Sequence, residues 1–159
     1  MSTEATEAVP RRDAVESLYR DQGARLWRAV FAYAGNRDIA SEAVSEAFAQ
    51  LLGRGVAVDF PDRWIWTAAF RIAAGELQTW RRTAPVEDRS YEMELPDVDL
   101  ATALRALSDR ERVVVVLHYY GGYRSLEIAS LLRSSPVTVR VQLHQARRKL
   151  HELLGGPDD

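Results

Sequence analysis

The feature that most constrains the fold is the stretch from residue 124 to 150, RSLEIASLLRSSPVTVRVQLHQARRKL. It predicts two helices joined by a short polar turn. Ser125 can cap the first helix, whose apolar residues recur at helical spacing until Arg133 and Ser134 interrupt them. Ser135 followed by Pro136 marks the start of the second helix, because proline is tolerated at a first helical position. The apolar stripe of the second helix comprises Val139, Leu143, Ala146, Leu150 and Leu153.

The opposite face of the second helix carries cationic, amide and small apolar side chains, which suit phosphates, base edges and thymine methyl groups. A helix in the major groove of DNA reads bases with its N-terminal residues. We therefore predict base contacts from Val137, Thr138, Val141 and Gln145, and phosphate or guanine contacts from Arg140, His144, Arg147 and Arg148. An ordinary solvated helical hairpin would show the same face, so the pattern alone leaves both interpretations open.

The charge distribution favours nucleic acid as the partner of the C-terminal part. The formal net charge is only −2, but residues 83–99 hold six acidic residues against one arginine. Residues 100–154 reverse this balance, with eight arginines and one lysine against four acidic residues. A basic helical unit behind an acidic segment is typical of a domain that binds a polyanion.

Composition restricts the other possible functions. The chain has no cysteine, which excludes disulfides and thiolate metal sites. It has no apolar run of membrane-spanning length, and its N-terminus is polar, so we expect a soluble cytoplasmic protein without membrane insertion. No phosphate-binding loop, metal-ligand cluster or nucleophile-base pair is present in the sequence. We therefore expect no enzyme activity, no catalytic residues, no metal and no cofactor.

The N-terminal half predicts three helices. Apolar residues recur at helical spacing up to Gly35-Asn36, again from Ala40 to Leu51, and again over residues 62–82. The third helix has two apolar sets, which predicts burial on both sides. It also holds three of the four tryptophans and ends in Arg81-Arg82, which suits stacking of unpaired bases. An aromatic stripe at this spacing equally suits a core or a protein interface.

Residues 83–99 lack a sustained period and contain two prolines, which is typical of a linker. Beyond them, Ser108 and Glu111 form a capping-box signature ahead of the run of four valines. The cap favours a buried helix over a strand, ending at Gly121-Gly122. We thus predict an all-α chain of two small helical domains. The predicted parts are a disordered N-terminus (1–12), a first domain (13–82), a flexible acidic linker (83–99) and a helix-turn-helix domain (100–154).

The order of these motifs resembles the extracytoplasmic-function (ECF) sigma factors of bacterial RNA polymerase. The run ALRALSDRERVVVVLHYYGGYRSLEIASLLRSSPVTVRVQLHQARRKL resembles the family's minus-35-reading domain, including Leu107, Arg112, Glu127-Ile128-Ala129, Ser135, Thr138-Val139 and Ala146-Arg147. The helix around Tyr19, the segment from Ala40 to Phe48, and Pro61 with Trp64-Ile65 are similar to the domain that binds polymerase and the minus-10 element.

The resemblance implies a sigma-70-family subunit that directs core RNA polymerase to specific promoter DNA. The minus-35 residues it implies are Arg124, Ser135, Val137, Thr138, Arg140, Val141, His144, Gln145, Arg147 and Arg148. The minus-10 residues are Trp64, Arg71, Gln78, Arg81 and Arg82. The polymerase-binding residues are Glu42, Val44, Ser45, Glu46 and Phe48, a set that also suits a merely exposed acidic face.

The resemblance also implies an anti-sigma factor, a protein that wedges between the two domains of relatives. We expect Trp66, Phe70, Leu77 and Trp80 to be exposed apolar residues that serve such a partner. Two other functions remain open. The first is a sigma-like regulator that acts through protein contacts, suggested by Arg71, Gly75 and Gln78 in place of the family's usual residues. The second is an autonomous helix-turn-helix regulator, suggested by the basic C-terminal unit alone.

Overall fold

The computed structural model describes residues 3–54, 58–85 and 98–155 of the 159-residue chain. Over these ranges every regular element is an α-helix, which confirms the all-α prediction. The helices are α1 (Thr3–Ala34), α2 (Arg37–Gly53), α3 (Pro61–Thr83), α4 (Val98–Ala106), α5 (Asp109–Tyr119), α6 (Ser125–Leu132) and α7 (Pro136–Leu154). Within the same ranges, no helix combines the length and the apolar character that crossing a membrane requires.

Helices α1, α2 and α3 pack together as an N-terminal unit. Gly35 adopts a positive φ of 66° directly after α1, where left-handed backbone favours glycine. Asn36 then caps α2 by accepting a hydrogen bond from the Ile39 N–H at 3.0 Å. The predicted stripe of α2, including Ala40 and Ala47, is buried in this unit. The sequence signals for the α1–α2 turn therefore match the structure.

Both apolar sides of α3 are covered, as predicted from its two apolar sets. Ile65, Trp66, Ala69 and Ala73 have no exposed surface, because neighbouring helices lie on both sides of α3. Gly75 lies in the middle of the helix, and a Cβ built there would meet no atom within 4 Å. The structure therefore gives this glycine no packing role.

Helices α4 to α7 form a C-terminal unit. Ser108 and Glu111 make the predicted capping box: the Ser108 Oγ accepts from the Glu111 N–H at 3.1 Å, and the Glu111 carboxylate accepts from the Ser108 N–H at 2.9 Å. The four valines that follow are buried in α5, so the helix prediction is correct. A Cβ on Gly121 would lie 2.6 Å from the Leu117 carbonyl oxygen, which requires glycine at the end of α5.

Several boundaries differ from the sequence predictions. Helix α1 begins at Thr3 and so includes most of the N-terminus predicted to be disordered (1–12), a segment with the strong helix formers alanine and glutamate. Helix α4 begins at Val98, inside the predicted linker, and residues 86–97 of that linker lie outside the described residues. Leu153 is 52% exposed, because the last turn of α7 extends past its neighbours in the core.

The cap of α6 also differs from the prediction. Arg124, and not Ser125, occupies the N-cap position. The carboxylate of Glu127 accepts a hydrogen bond from the Arg124 backbone N–H at 3.1 Å, so an acidic side chain in the first turn satisfies this donor.

The two units pack against each other along a seam. Helix α1 contacts α4 and α5, and α3 contacts α6. Nearly all buried apolar residues of both units belong to one hydrophobic cluster, which runs from Val15 of α1 to Ala146 of α7. Over the described residues the two units are therefore packed against each other, and this arrangement is the closed form of the protein.

Candidate nucleic-acid interface

The turn between α6 and α7 is built from three residues. Arg133 ends α6 in the left-handed region with a φ of 53°, a conformation uncommon outside glycine. Ser134 donates its N–H to the Ala129 carbonyl at 2.8 Å. Ser135 caps α7 by accepting from the Thr138 N–H at 3.1 Å, and Pro136 takes the first helical position as the sequence predicted. These local bonds fix the direction in which α7 leaves the turn.

Helix α7 buries one side and exposes the other. Val139, Leu143 and Ala146 are buried against the C-terminal unit. All ten residues of the predicted minus-35 set are exposed: Arg124, Ser135, Val137, Thr138, Arg140, Val141, His144, Gln145, Arg147 and Arg148. Val137 and Val141 are 65% and 49% exposed one turn apart, so they form a small apolar spot on a basic face. Such a mixture suits phosphates at the edges and thymine methyl groups at the centre.

Arg147 differs from the other exposed arginines of α7 because it is bonded to α5. Its Nε donates to the Tyr119 hydroxyl at 3.0 Å, and its Nη2 lies 3.1 Å from the His118 Nε2. His118 and Tyr119 lie 29 and 28 residues away from Arg147 along the chain, so no local sequence pattern predicted this contact.

The predicted minus-10 residues fall into two groups. Trp64, Arg71, Gln78 and Arg82 are spaced by seven, seven and four residues, so they share one face of α3. Arg71, Gln78 and Arg82 are exposed, and Trp64 is half-buried under the guanidinium of Arg54 at 4.9 Å. Arg81 lies off this face.

Arg81 instead joins α3 to α5 across the seam. Its guanidinium binds the Asp109 carboxylate through two hydrogen bonds, of 2.5 and 3.0 Å. This pairing lowers the pKa of Asp109 and raises the pKa of Arg81. In the closed form, the Arg81 guanidinium is therefore paired with a carboxylate of the same chain.

A groove beside Trp64 contains residues that the sequence analysis missed. Its volume is about 560 Å³, and its walls include Arg54, Arg63 and Phe60. Phe60 is 68% exposed and has a φ of 54°, although a bulky residue rarely adopts this conformation. An exposed aromatic ring held in a strained conformation beside two arginines is a candidate for base stacking. The only available sequence signal was its position before Pro61.

The predicted polymerase-binding set is divided by burial. Val44 and Phe48 are 4% and 6% exposed, so they do not offer an apolar ridge to a partner. The Phe48 ring packs edge-on against Tyr19 of α1, with 5.0 Å between centroids. Glu42, Ser45 and Glu46 remain exposed on α2.

The acidic side of α2 continues onto α3. Burial raises the pKa of Glu76, and the nearby carboxylates of Glu42 and Glu46 raise it further. The Glu76 Oε2 is buried and has no hydrogen-bond partner among the described residues. This part of the surface is therefore negatively charged at Glu42 and Glu46, while the pKa of Glu76 favours protonation more than usual.

The expected apolar surface for a partner is largely covered. Trp66, Phe70 and Leu77 are 0%, 5% and 2% exposed, so the expectation of free surface was wrong for these three, and Trp80 is half-buried. Trp66 donates its indole N–H to Gln22 of α1 at 2.9 Å and packs edge-on against Tyr123. The helices of both units cover this side of α3.

Arg112 is the main polar contact of the seam. It is 3% exposed, and its Nε donates to the Tyr33 carbonyl oxygen of α1 at 2.7 Å. The same guanidinium donates to the carbonyls of Leu104 and Leu107 and to the Asp109 carboxylate. One buried cation thus joins the C-terminal ends of α1 and α4 to the start of α5.

A cavity of about 360 Å³ remains along the seam, between α3, α5 and α6. Its walls are mainly apolar and include Phe70, Val113 and Leu131. Arg71 and Arg110 also line this cavity, and both are exposed. The seam therefore combines an apolar interior with a basic edge. A search of the described ranges finds no group of three or more His, Asp or Glu residues placed to hold a metal ion.

Comparison with known proteins shows similarity to one family. Residues 97–150 match the family model of "Sigma-70, region 4", which covers α4 to α6 and α7 up to residue 150. The chain is 28% identical over 162 residues to the "Probable ECF RNA polymerase sigma factor SigI" of Mycobacterium tuberculosis, a match that covers 89% of this chain and 56% of that protein. The chain is thus similar to an ECF sigma factor over most of its length, and the family model matches its C-terminal part. It spans only about half the length of SigI.

Two further relatives are also named sigma factors, and two solved structures share the fold. The chain is 27% identical over 152 residues to the "ECF RNA polymerase sigma factor SigL" of M. tuberculosis, covering 86% of each. "RNA polymerase sigma factor SigV" of Bacillus subtilis is 24% identical over 131 residues, covering 76% of this chain and 79% of SigV. The structure of CnrH in complex with the cytosolic domain of CnrY has a TM-score of 0.69 at 23% identity, covering 98% of this chain and 96% of that one. The sigma factor RpoE of Bartonella quintana, in complex with the anti-sigma factor NepR, has a TM-score of 0.67 at 17% identity, covering 90% and 99%. These two likenesses concern the fold.

Proposed function

We propose that this chain is a promoter-specificity subunit of bacterial RNA polymerase. It directs core polymerase to particular promoters by sequence-specific DNA binding, works in the cytoplasm and catalyses no reaction of its own. The observation that carries this proposal is the exposed basic face of α7, which lies within the region-4 match. The relatives named above as RNA polymerase sigma factors support the same assignment.

In this proposal α7 enters the major groove of the minus-35 element. Val137 and Val141 contact thymine methyl groups, Thr138 and Gln145 contact base edges, and the flanking arginines contact phosphates. The minus-10 element contacts the face of α3 that carries Trp64 and Arg71. The adjacent groove and the exposed ring of Phe60 supply stacking surface for unpaired bases.

The proposed contact with core polymerase uses the acidic residues Glu42 and Glu46 together with Ser45. These side chains are exposed on α2, whereas Val44 and Phe48 support the helix from the core. An acidic helix face suits a basic partner surface, and its contribution falls as salt rises.

An anti-sigma factor is the proposed regulatory partner. The CnrH structure contains the cytosolic domain of CnrY, and the RpoE structure contains the anti-sigma factor NepR. This protein has an apolar cavity with a basic edge along its seam. An amphipathic helix with acidic flanks matches this chemistry, because its apolar side fills the cavity and its carboxylates meet Arg71 and Arg110.

Reading both promoter elements requires the seam to open. The minus-10 and minus-35 elements lie about 25 base pairs apart, which is roughly 85 Å along B-form DNA. A compact chain of 159 residues has a radius of gyration of only about 15 Å. The closed form also keeps Arg81 paired with Asp109. We therefore place the closed form before promoter binding.

The deciding experiment is reconstitution with purified core polymerase, followed by sequencing of run-off transcripts from fragmented genomic DNA of the host. We expect discrete start sites that share two upstream motifs. The double variant Arg140→Ala/Arg148→Ala removes two exposed cations of α7 and should abolish these transcripts, while Arg12→Ala/Arg20→Ala, on exposed positions of α1, should retain them.

Other outcomes would contradict the proposal in distinct ways. Binding to core polymerase without transcripts would favour the sigma-like regulator. A dimer that binds palindromic DNA without polymerase would instead favour the autonomous helix-turn-helix regulator.

A further inference from the structure

The C-terminal end of α5 lies beside the exposed face of α7 and contacts one of its arginines. The Tyr119 hydroxyl accepts from the Arg147 Nε at 3.0 Å, and the guanidinium carbon lies 5.8 Å from the centre of the Tyr119 ring. The His118 ring lies edge-on to the Tyr119 ring, with 4.8 Å between centroids, and its Nε2 is 3.1 Å from the Arg147 Nη2. Arg147 is therefore held at two points by neighbouring residues of a different helix.

The direction of each hydrogen bond follows from the chemistry of the groups. The Tyr123 carbonyl oxygen lies 2.9 Å from the His118 Nδ1, and a carbonyl oxygen only accepts, so Nδ1 carries the proton. A neutral imidazole with its proton on Nδ1 has an acceptor lone pair on Nε2. Because a guanidinium only donates, this lone pair receives the Arg147 N–H. The backbone of the α5–α6 turn thus orients the histidine, and the histidine orients the arginine.

Both groups keep hydrogen-bonding capacity toward solvent. Arg147 has five N–H donors, and the contacts with Tyr119 and His118 use two of them. Its side chain is exposed on the face of α7 that carries the other cations. Tyr119 is 59% exposed, and its hydroxyl accepts from Arg147 with its lone pair, which leaves its own hydrogen for a further acceptor. A single oxyanion placed between them would receive a charge-assisted bond and a hydroxyl bond together.

We propose that α5 extends the DNA-binding surface beyond α6 and α7, through a clamp for one backbone phosphate of duplex DNA. In this clamp Arg147 and the Tyr119 hydroxyl contact the phosphate, and His118 is a positioning residue that holds Arg147. The inference rests on the proposed function, because it requires α7 to bind a duplex. It adds two residues outside the turn and recognition helix, His118 and Tyr119, and it gives the contacts that hold Arg147 a role in binding.

The expected effects differ between the three residues. Loss of Arg147 removes a cation from a phosphate, so the slope of log K against log salt should become shallower by about 0.9. Loss of His118 keeps the charge of Arg147 but removes one of the bonds that hold its side chain. The affinity for DNA should therefore fall about 3- to 10-fold, with the slope of log K against log salt unchanged. Tyr119→Phe removes one neutral donor and one acceptor, and it should act like the His118 change.

The experiment measures binding of the full chain to a duplex that this chain selects from a random-sequence pool, between 50 and 200 mM salt. Double-mutant cycles test positioning. His118→Ala should weaken binding in the wild-type and Arg148→Ala backgrounds and should have no effect in the Arg147→Ala background. His118→Gln keeps an acceptor near the Nε2 position and should recover most of the affinity. Thermal melts of each variant verify that it is folded, and Tyr119→Phe provides a second test with a minimal change in packing.

Each remaining outcome overturns a defined claim. If His118→Ala weakens binding equally with and without Arg147, then His118 supports the fold and the positioning role is wrong. If Tyr119→Phe and His118→Ala both bind normally, the clamp does not exist, although the proposed function stands. If the unmodified chain selects no duplex, this inference fails, whereas the proposed function is still decided by run-off transcripts from the reconstituted polymerase.

Discussion

Arg112 allows a stability prediction that can be worked out from its contacts. Replacing it by methionine keeps much of the aliphatic stem and removes the guanidinium, which is buried at the seam. The Tyr33 carbonyl of α1 and the Leu107 carbonyl after α4 would lose their donors, whereas the Leu104 carbonyl keeps a bond from the Leu107 N–H at 3.2 Å. Asp109 keeps its pairing with Arg81 and is half exposed, so it adds little.

The two orphaned carbonyls set the size of the effect. A buried polar group that loses its partner costs about 1–3 kcal/mol, so Arg112→Met should lower the free energy of unfolding by about 3 kcal/mol. Arg112→Lys should recover only part of this loss, because an ammonium group does not reproduce the planar fork of the guanidinium. Urea denaturation followed by tryptophan fluorescence measures both variants.

A neighbouring arginine supplies the control. Arg110 lies on the same helix but is exposed, so Arg110→Met should change stability by no more than about 0.5 kcal/mol. If Arg112→Met costs less than about 1 kcal/mol, or no more than Arg110→Met, then the bonds at the seam do not stabilise the closed form, and this reasoning is refuted.

Three further predictions concern the helices and the seam. Gly75→Ala should stabilise the chain by about 1 kcal/mol in thermal or urea denaturation, because the added methyl group meets no atom and alanine favours helix, and a loss of stability would reveal an unseen contact. Ser108→Ala should cost about 1 kcal/mol by removing the cap of α5, with Ser130→Ala on an exposed face of α6 as the near-neutral control. The hydrogen bond with Arg81 holds the pKa of Asp109 below its ordinary value of 3.8. The ionised carboxylate therefore stabilises the folded protein above pH 3.8, and this stabilisation is lost as the pH falls through the lowered pKa. Arg81→Ala should therefore make stability less dependent on pH over this acidic range, and an unchanged profile would contradict the pairing.

Local sequence signals predicted the helices well because each signal is complete within a few residues. The capping box at Ser108 and the Ser135-Pro136 start both act over a single turn, and the structure contains both. The four valines show the value of such signals, because their strand propensity alone favoured the wrong element. The cap of α6 was misplaced by one residue, since Glu127 satisfies the first backbone donor and no serine is needed.

The sequence also predicts which side chains of α2 and α3 are buried. Val44 and Phe48 lie on the same 3.6-residue stripe as Ala40 and Ala47, so their burial follows from the period that predicted α2. Their assignment to a polymerase contact came from the resemblance and conflicted with that stripe. Trp66 shows the same conflict, because two apolar sets on one helix already predicted that it would be covered.

The long-range pairings were not predictable from local patterns. In the sequence, Arg81 and Arg147 cannot be distinguished from the arginines next to them, Arg82 and Arg148. In the structure, each is bonded to a residue 28 positions away. Helical spacing identifies which side of a helix is exposed, but it contains no information on which distant side chain meets that surface. The distinction between a cation held in place and one that is free therefore required the structure.

The seam yields the strongest test of how the two units work together. Arg63 of α3 and Glu127 of α6 face each other across it, with 3.5 Å between the Nη2 and Oε2 atoms. Since the chain has no cysteine, Arg63→Cys/Glu127→Cys can be joined by a short bismaleimide without side reactions. The linked protein should bind an isolated minus-35 duplex normally, because the face of α7 is exposed in the closed form. It should fail to initiate from a two-element promoter, because the units must separate to span about 85 Å. The same variant without linker gives the reference activity, because Arg63 lines the groove proposed for unpaired bases. Glu16→Cys/Arg20→Cys linked within α1 should remain active. Normal initiation by the linked protein would show that separation of the units is unnecessary, and the closed form would then not precede promoter binding.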